Sequence, residues 1–181
     1  MTCREVQSAL LGCRVSCLWD PRRVIAARNT VGVLGWEADL VLIQPSGWLW
    51  EVEVKVSASD FRREFRAKTK IEKHRVLVSG HHRANYRGDQ KPNMVRKFFF
   101  AMPSEVYEQV KAEIPDYAGV ILVDPAKTLK GWKEPRPWIE KKAKDLPAEK
   151  ADGGTRHQVL LSIYHRHWSA TWSGEPSEVE A

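Results

Sequence analysis

The sequence predicts a mixed α/β fold, with a β-sheet flanked by helices in a single domain. The chain has 181 residues, of which 43% are hydrophobic, so it can bury a substantial core without disulfides. Two runs, 36–44 and 48–56, alternate between polar and apolar residues with a period of two, which indicates half-buried strands. Amphipathic stretches with the helical period lie elsewhere in the chain, so helices are expected to cover this sheet.

The two alternating runs are predicted to form a hairpin across Pro45-Ser46-Gly47. Proline sets the first corner of a type I turn, and glycine can adopt the left-handed conformation that closes a three-residue loop. Such a loop pairs Gln44 with Trp48.

This turn fixes the register of the hairpin, because antiparallel partners keep a constant sum of residue numbers. Counting back, Val41 faces Glu51, Asp39 faces Glu53 and Glu37 faces Lys55, so all the charged side chains share one face. The opposite face is expected to be a core face and consists of Ala38, Leu40, Leu42, Trp50, Val52, Val54 and Val56.

The charged face predicts a metal-dependent phosphodiesterase site. Opposed residues have Cβ atoms about 5 Å apart, so Asp39 and Glu53 repel unless a proton or a cation lies between them. Hard carboxylate oxygens select Mg²⁺ or Mn²⁺. Lys55 reaches the same space, where an ammonium can orient or help deprotonate a water and offset phosphate charge. The alternative is an ordinary solvated strand face, since Glu-x-Lys alone is a weak signal.

These residues resemble the PD-(D/E)xK nuclease superfamily, whose pattern is an Asp on one strand and Glu-x-Lys on the next. Over residues 36–124 the chain looks like small phage and bacterial nuclease-like proteins related to the MmcB-type DNA repair proteins. The resemblance implies a restriction-endonuclease-like fold, a metal site formed by Asp39, Glu53 and the carbonyl of Val54, and catalysis by Lys55. It also implies a glutamate from the first helix, for which Glu5 is the candidate, although Glu5 could equally be a first-turn carboxylate favoured by the helix dipole.

Two further acids complete the predicted catalytic set. Glu37, opposite Lys55, is expected to position the ammonium. Glu51 is expected to hold a water ligand or a second metal.

A formal charge of +6 and an isoelectric point near 9.3 indicate an anionic partner. A helix is predicted from Ser57, its cap, to about His74, with Phe61, Phe65 and Ile71 on its buried side. Its cations are predicted to bind DNA phosphates: Arg62, Arg63, Arg66, Lys68, Lys70 and Lys73. The alternative is a solvated helix that is salt-bridged by Glu64 and Glu72.

A basic loop over 80–94 is the second predicted DNA contact, through Arg83 and Arg87. His81 and His82 cannot both face one metal in an extended chain, so neither is expected to be a ligand. The alternative is a plain surface loop.

The remaining elements follow from shorter patterns. Further strands are predicted at 23–33, 96–102 and 119–123, and a helix capped by Ser104 over 104–114. Residues 1–129 form the predicted core, 130–154 a linker or surface excursion, 155–169 a helix packing on the core, and 170–181 a disordered acidic tail.

No apolar run is long enough to span a membrane and no signal peptide is recognisable, so a cytoplasmic protein without a membrane partner is expected. Cys3, Cys13 and Cys17 are interpreted as buried thiols and not as zinc ligands.

The predicted function is a Mg²⁺-dependent DNA nuclease acting in phage or bacterial DNA processing or repair. By the resemblance it would leave a 5′-phosphate. The alternatives are a nucleic-acid-binding module that cleaves nothing and a nuclease subunit directed by a partner protein. A homodimer, the form of the DNA substrate and the pathway are left open by the sequence.

Overall fold

The predicted hairpin is the centre of a six-stranded mixed sheet in the computed structural model of the chain, which describes residues 1–12, 19, 23–82, 91–124 and 137–172. The strands are β1 (Ile25–Thr30), β2 (Ala38–Ile43), β3 (Leu49–Val54), β4 (Val95–Met102), β5 (Gly119–Leu122) and β6 (Trp138–Lys141). The helices are α1 (Cys3–Gly12), α2 (Ala58–Glu64), α3 (Lys68–Ser79), α4 (Ser104–Val110) and α5 (Gly153–Trp172), and a short 3-10 turn (Lys111–Glu113) follows α4.

The strands lie in the order in which they occur in the chain. β1, β2 and β3 form an antiparallel meander, β3, β4 and β5 run parallel, and β6 is antiparallel to β5. Parallel neighbours need crossover connections, and α2 with α3 and then α4 supply them. The predicted mixed α/β sheet flanked by helices is therefore confirmed.

The register of the hairpin is confirmed too. Val41 pairs with Glu51, and the Gln44 amide donates to the Trp48 carbonyl at 2.9 Å. Gly47 has a φ of 89°, the left-handed conformation that the turn requires. Asp39 and Glu53 lie one step beyond the last paired residues, Leu40 and Val52.

The predicted single helix over 57–74 is wrong, because α2 ends at Glu64 and α3 begins at Lys68. Ser57 does cap α2, accepting from the Asp60 amide. The chain leaves the helix at Phe65, whose ring packs against Phe61 and His74. Burying this ring stabilises the bend, which turns α3 back across the sheet. The expectation for Ile71 is wrong as well, since its side chain is 52% exposed.

Helix α4 begins as predicted, but Pro103 occupies the cap position. The Ser104 hydroxyl donates instead to Asp124, which also accepts from the Ser104 amide. Val106 and Val110 are buried, as expected.

The prediction of a linker or surface excursion over 130–154 is wrong for the second half of that range. Residues 138–141 form β6, and the residues after it pack against the sheet. Ala143, Leu146 and Ala151 are buried. The Leu146 amide donates to the Arg96 carbonyl at 2.9 Å, and the Ala151 amide donates to the Gly47 carbonyl at 3.0 Å. Small apolar residues hidden among Pro, Lys and Glu anchor this segment. Residues 130–136 lie outside the described part of the chain.

Helix α5 is longer than predicted and packs on β1 through Val159, which is fully buried, with Ile163 partly buried on the same side. The expected packing of Leu160 and Trp168 is wrong, because they are 49% and 44% exposed. Trp168, nine residues after Val159, lies on the opposite side of the helix, and Leu160 lies on its flank. Residues 170–172 of the predicted tail belong to α5, and residues 173–181 lie outside the described part.

Two apolar clusters lie on the two faces of the sheet. One packs α1 against Leu40, Leu42 and Val52. The other packs α2, α3, α4 and α5 against Phe98 and Phe100. In the described part of the chain, no helix is long and apolar enough to span a membrane.

Candidate functional site

A buried cluster of charged side chains lies where the end of β3 meets α2 and α3. Strand alternation brings Glu51, Glu53 and Lys55 to one face, as predicted. Instead of being partly open, that face is covered by the two helices, and Glu51 and Glu53 are 0% and 2% exposed. The helices add Glu64, Lys70, Lys73 and His74.

Lys55 lies between two carboxylates. Its Nζ is 3.1 Å from Glu53 Oε1 and 2.7 Å from Glu64 Oε2. Burial opposes its charge, but Glu53 and Glu64 outweigh burial and raise the pKa of Lys55. The ammonium is therefore held protonated and fixed in direction.

The predicted role of Glu37 is wrong. Glu37 precedes β2 and is exposed, and Glu64 takes the role of positioning the ammonium. The short paired region of the hairpin explains this, because the strands stop pairing before Glu37 can oppose Lys55.

The prediction that Lys73 binds DNA is wrong. Its side chain is 0% exposed, and its Nζ lies 2.5 Å from Glu64 Oε1 and 3.0 Å from Glu53 Oε2. Glu51 Oε1 follows at 3.6 Å. Despite burial, these three carboxylates raise the pKa of Lys73. Lys73 neutralises the buried acids and cannot reach a phosphate at the surface.

Lys70 joins the same cluster from its rim. Its Nζ lies 2.5 Å from Glu53 Oε1 and 3.5 Å from Glu64 Oε2, while 30% of its side chain remains exposed. Of the three lysines that contact Glu53, it is the one with solvent access to move.

His74 contacts Glu64, and Tyr117 contacts His74. Burial disfavours a charge on Glu64, but the close contact with His74 and the charges of Lys73 and Lys55 lower its pKa. Burial also lowers the pKa of His74. His74 Nε2 lies 3.3 Å from Glu64 Oε1 without a well-aligned hydrogen bond, and His74 Nδ1 shares a hydrogen bond with the Tyr117 hydroxyl, 2.5 Å away.

Asp39 lies beside Glu53, at the more open side of the cluster. Its Oδ2 accepts from the Val54 amide at 2.8 Å. Burial, and then repulsion from Glu53, raises the pKa of Asp39 to about 6. Two carboxylates that repel each other lie next to the Val54 backbone, as the sequence predicted.

Glu51 is the most deeply buried acid. Both of its oxygens accept from Trp36 Nε1 at 3.1 Å. Burial raises its pKa to about 7 despite the charge of Lys73. The Trp36 contact gives Glu51 a structural partner in place of the predicted second metal or water ligand.

Glu5 does not join the cluster. Its carboxylate accepts from the Thr2 amide at 2.7 Å, and the Glu5 amide donates to the Thr2 hydroxyl. This reciprocal pair caps α1, so the role at the start of the helix describes Glu5 correctly. Near it, burial and then Asp39 raise the pKa of the Cys3 thiol to about 11. Cys13 and Cys17 lie outside the described residues.

The donor set matters for a cation. Among the described residues, no group of three or more His, Cys, Asp or Glu side chains could hold a metal ion. Asp39 and Glu53 provide two carboxylates, and the Val54 carbonyl follows Glu53 in the chain.

The predicted surface cations divide into three groups. Arg63, Arg66 and Lys68 are exposed. Arg62 is paired with Glu113 at 2.7 Å on the neighbouring turn. Arg83 and Arg87 lie outside the described residues.

Sequence reasoning missed Glu64, His74 and Tyr117 as parts of the site. Glu64 had a detectable signal, because it lies three residues after the buried Phe61 and therefore on the same side of α2. His74 had none, since its partners come from distant segments.

No protein-family model matches the chain, and no curated protein matches it significantly. Among solved structures, the chain is similar to the SPO1766 protein of unknown function from Silicibacter pomeroyi, with a TM-score of 0.57 and 14% identity. The match covers 99% of this chain and 97% of that protein. At this identity the similarity supports the α/β fold alone.

Proposed function

We propose that the protein is a Mg²⁺- or Mn²⁺-dependent DNA nuclease whose site is Asp39, Glu53 and Lys55. The observation that carries the proposal is the position of Asp39, a carboxylate with a raised pKa, next to Glu53 and its bound Lys55. The resemblance of the same residues to the PD-(D/E)xK superfamily supports the same proposal.

Charge counting supports a cation at this position. Asp39, Glu51, Glu53 and Glu64 provide four acids against the three lysines Lys55, Lys70 and Lys73. One negative charge is therefore uncompensated when all four acids ionise. The raised pKa values of Asp39 and Glu51 reflect that excess as well as burial.

The donors fit a hard divalent ion. Carboxylate oxygens from Asp39 and Glu53 would hold it, with the Val54 carbonyl as the third protein ligand and water completing the coordination. When bound, such an ion lowers the pKa of a ligated water and neutralises charge on a phosphodiester. Lys70 must leave Glu53 Oε1 to make room, and its partly exposed side chain allows this.

The raised pKa of Lys55 favours orienting a water over deprotonating it. A lysine kept protonated by Glu53 and Glu64 cannot accept a proton from water. It can donate hydrogen bonds to an attacking water or to a phosphate oxygen and offset negative charge there. Glu64 holds that ammonium in place at 2.7 Å.

The exposed Arg63, Arg66 and Lys68 supply a route for the DNA backbone. They lie at the end of α2, between the two helices and at the start of α3, which both contribute residues to the cluster. Cations at the surface attract phosphates without reading base sequence. The positive net charge of the chain favours the same partner.

A non-cleaving nucleic-acid-binding module is the second candidate, and one observation favours it. Both oxygens of Glu53 are already within ion-pair distance of lysines, so the described side chains complete the cluster without a metal. A purely structural network would look the same.

The experiment that separates these candidates is incubation of the purified protein with circular and linear DNA in Mg²⁺, Mn²⁺ or EDTA. We expect cleavage that needs the divalent ion and is lost in Lys55→Ala and in Asp39→Asn, while both variants still bind DNA. Lys142→Ala, an exposed lysine after β6, is the control and should cleave like the parent. DNA binding without cleavage under every cation would favour the binding module and contradict the nuclease.

A further inference from the structure

A cavity of about 650 Å³ lies at the hairpin end of the sheet, on the opposite face from Glu53. Its cationic and aromatic lining consists of Arg23, Arg96, Lys97, Trp48 and Trp50. Its volume lies within the range of roughly 300 to 1,000 Å³ that is typical of small-molecule sites. Trp50 packs beside Phe99 in the α1-side cluster, whereas Glu53 faces α3.

A β-bulge brings two cations into this cavity. Leu49 pairs with Val95, but the next residue, Trp50, pairs with Lys97, so Arg96 is an extra residue in β4. Neighbouring residues of a regular strand point to opposite faces. The bulge breaks this alternation, and both Arg96 and Lys97 line the cavity.

The cations lie against indole rings. The Arg96 guanidinium is 4.9 Å from the centre of the Trp48 ring, and Lys97 Nζ is 5.8 Å from that of Trp50. Both indoles are half-buried. An aromatic wall beside cations is the arrangement that proteins use to stack a nucleobase and bind its phosphate.

The net charge of the lining favours an anion. Asp145 is the one acid among the described lining residues, whereas Arg23, Arg96 and Lys97 are cations. It lies 2.8 Å from Arg96 and 3.5 Å from Lys97 with its side chain 51% exposed. Such exposed pairs are weak, so a phosphate can displace Asp145.

One lining residue has an unsatisfied donor. Gln44 Nε2 is buried without a hydrogen-bond partner among the described residues. A buried donor without a partner is costly, and a ligand acceptor would remove that cost once the Gln44 amide turns from its buried position towards the cavity.

We infer that this cavity binds a nucleotide unit, with its base against Trp48 or Trp50 and its phosphate among Arg23, Arg96 and Lys97. The Gln44 amide, turned towards the cavity, donates to an acceptor on the base. The unit comes either from a free mononucleotide or from the phosphorylated end of a DNA strand. This inference goes beyond the proposed nuclease and does not depend on cleavage.

The test is calorimetric titration of the full chain in EDTA, so that no divalent ion can bind at Asp39 and Glu53. The probes are deoxyadenosine 5′-monophosphate, deoxyadenosine, inorganic phosphate and a short single strand with a 5′-phosphate. The test variant is Arg23→Ala/Lys97→Ala, which leaves the Arg96 bond to the Leu146 carbonyl intact. The charge-matched control is Lys142→Ala/Lys144→Ala, since both lysines are exposed and neither lines the cavity. Gln44→Ala is a second variant that removes no charge.

Binding of the mononucleotide or the phosphorylated strand, weakened at least about tenfold in the test variant and unchanged in the control, would support the inference. Strand binding without mononucleotide binding would identify the DNA end as the source. Equal affinity in the parent, the test variant and Gln44→Ala would overturn it. So would phosphate alone binding as tightly as the mononucleotide, or no binding of any probe.

Discussion

The two faces of the β2–β3 hairpin are equally buried, but one buries apolar side chains and the other buries charged ones. On one face, Leu40, Leu42 and Val52 pack under α1. On the other, Glu51 and Glu53 lie under α2 and α3 with an exposure of at most 2%.

The two faces therefore differ in whether their contribution to stability depends on neighbouring charges. Burying an apolar side chain stabilises the fold whatever its neighbours are, in proportion to the area removed from water. Burying a carboxylate costs free energy unless a cation or a donor compensates it. The charged face is therefore held by its lysines and responds to pH and cations, while the apolar face does not.

The largest effect should come from breaking the charged face at Lys73. Lys73→Met leaves Glu51, Glu53 and Glu64 without the ammonium that lies among them. We expect the free energy of unfolding in urea to fall by about 3 to 5 kcal/mol at pH 8. The loss should shrink as pH falls, because the orphaned carboxylates take up protons.

Lys68→Met is the control for this substitution, since Lys68 is exposed at the start of α3. Its effect should stay within about 0.5 kcal/mol. Equal stability of the two variants would mean that the buried ion pairs are not what holds this face.

On the apolar face, Leu40→Ala should cost about 2 to 5 kcal/mol, because it leaves a cavity under α1. The same urea titration at several pH values should give a constant loss, in contrast to Lys73→Met. A loss that varied with pH as strongly as that of Lys73→Met would remove the distinction between the faces.

The pH dependence of the charged face can be isolated at Glu51. Its pKa of about 7 in the folded chain lies above its ordinary value of 4.5. Between these values the folded chain retains a proton that the unfolded chain has released, so Glu51 lowers stability as pH rises through this window. Glu51→Gln should therefore gain stability relative to the parent, on the order of 3 kcal/mol above pH 7.

The measurement is the difference in unfolding free energy between Glu51→Gln and the parent from pH 4 to 8. Taking the difference cancels other groups that titrate in this range, such as Asp39 and His74. Glu37→Gln, at an exposed position, should give a flat difference. A flat difference for Glu51→Gln as well would show that Glu51 is ionised in the folded chain.

The smallest expected effect concerns the exposed rim of the charged face. The affinity for duplex DNA falls with salt, and the slope of log affinity against log salt concentration measures this dependence. Arg63→Ala/Arg66→Ala should reduce that slope by about one to two units. Unfolding and cation affinity should not change, because both side chains are exposed. Lys142→Ala/Lys144→Ala is the charge-matched comparison, and an equal flattening there would mean that binding follows net charge and not this surface.

The hairpin could be predicted from the sequence in detail, because a turn motif and period-two alternation are local signals. Gln44 and Trp48 pair across the turn as predicted, and Val41 pairs with Glu51. The N-cap at Ser57 was also a local signal and is correct.

The features that could not be predicted from the sequence depend on contacts between segments that are distant in the chain. Lys73 looks like any surface lysine of a basic helix until α3 bends back over Glu53. That bend depends on Phe65, whose packing partners include Phe100 on β4. The predicted linker failed similarly, since β6 pairs with β5 through a register that its own composition does not reveal.

The most direct test of the central claim, that the charged face binds a divalent cation, is calorimetric titration with Mn²⁺ at pH 8, where Asp39 is ionised. We expect binding in the parent, a large loss of affinity in Asp39→Asn, and parental affinity in Glu37→Gln. Lys70→Ala should bind at least as tightly as the parent, since it removes the ammonium that competes for Glu53. Equal Mn²⁺ affinity in the parent and Asp39→Asn, or no binding to the parent, would contradict the account.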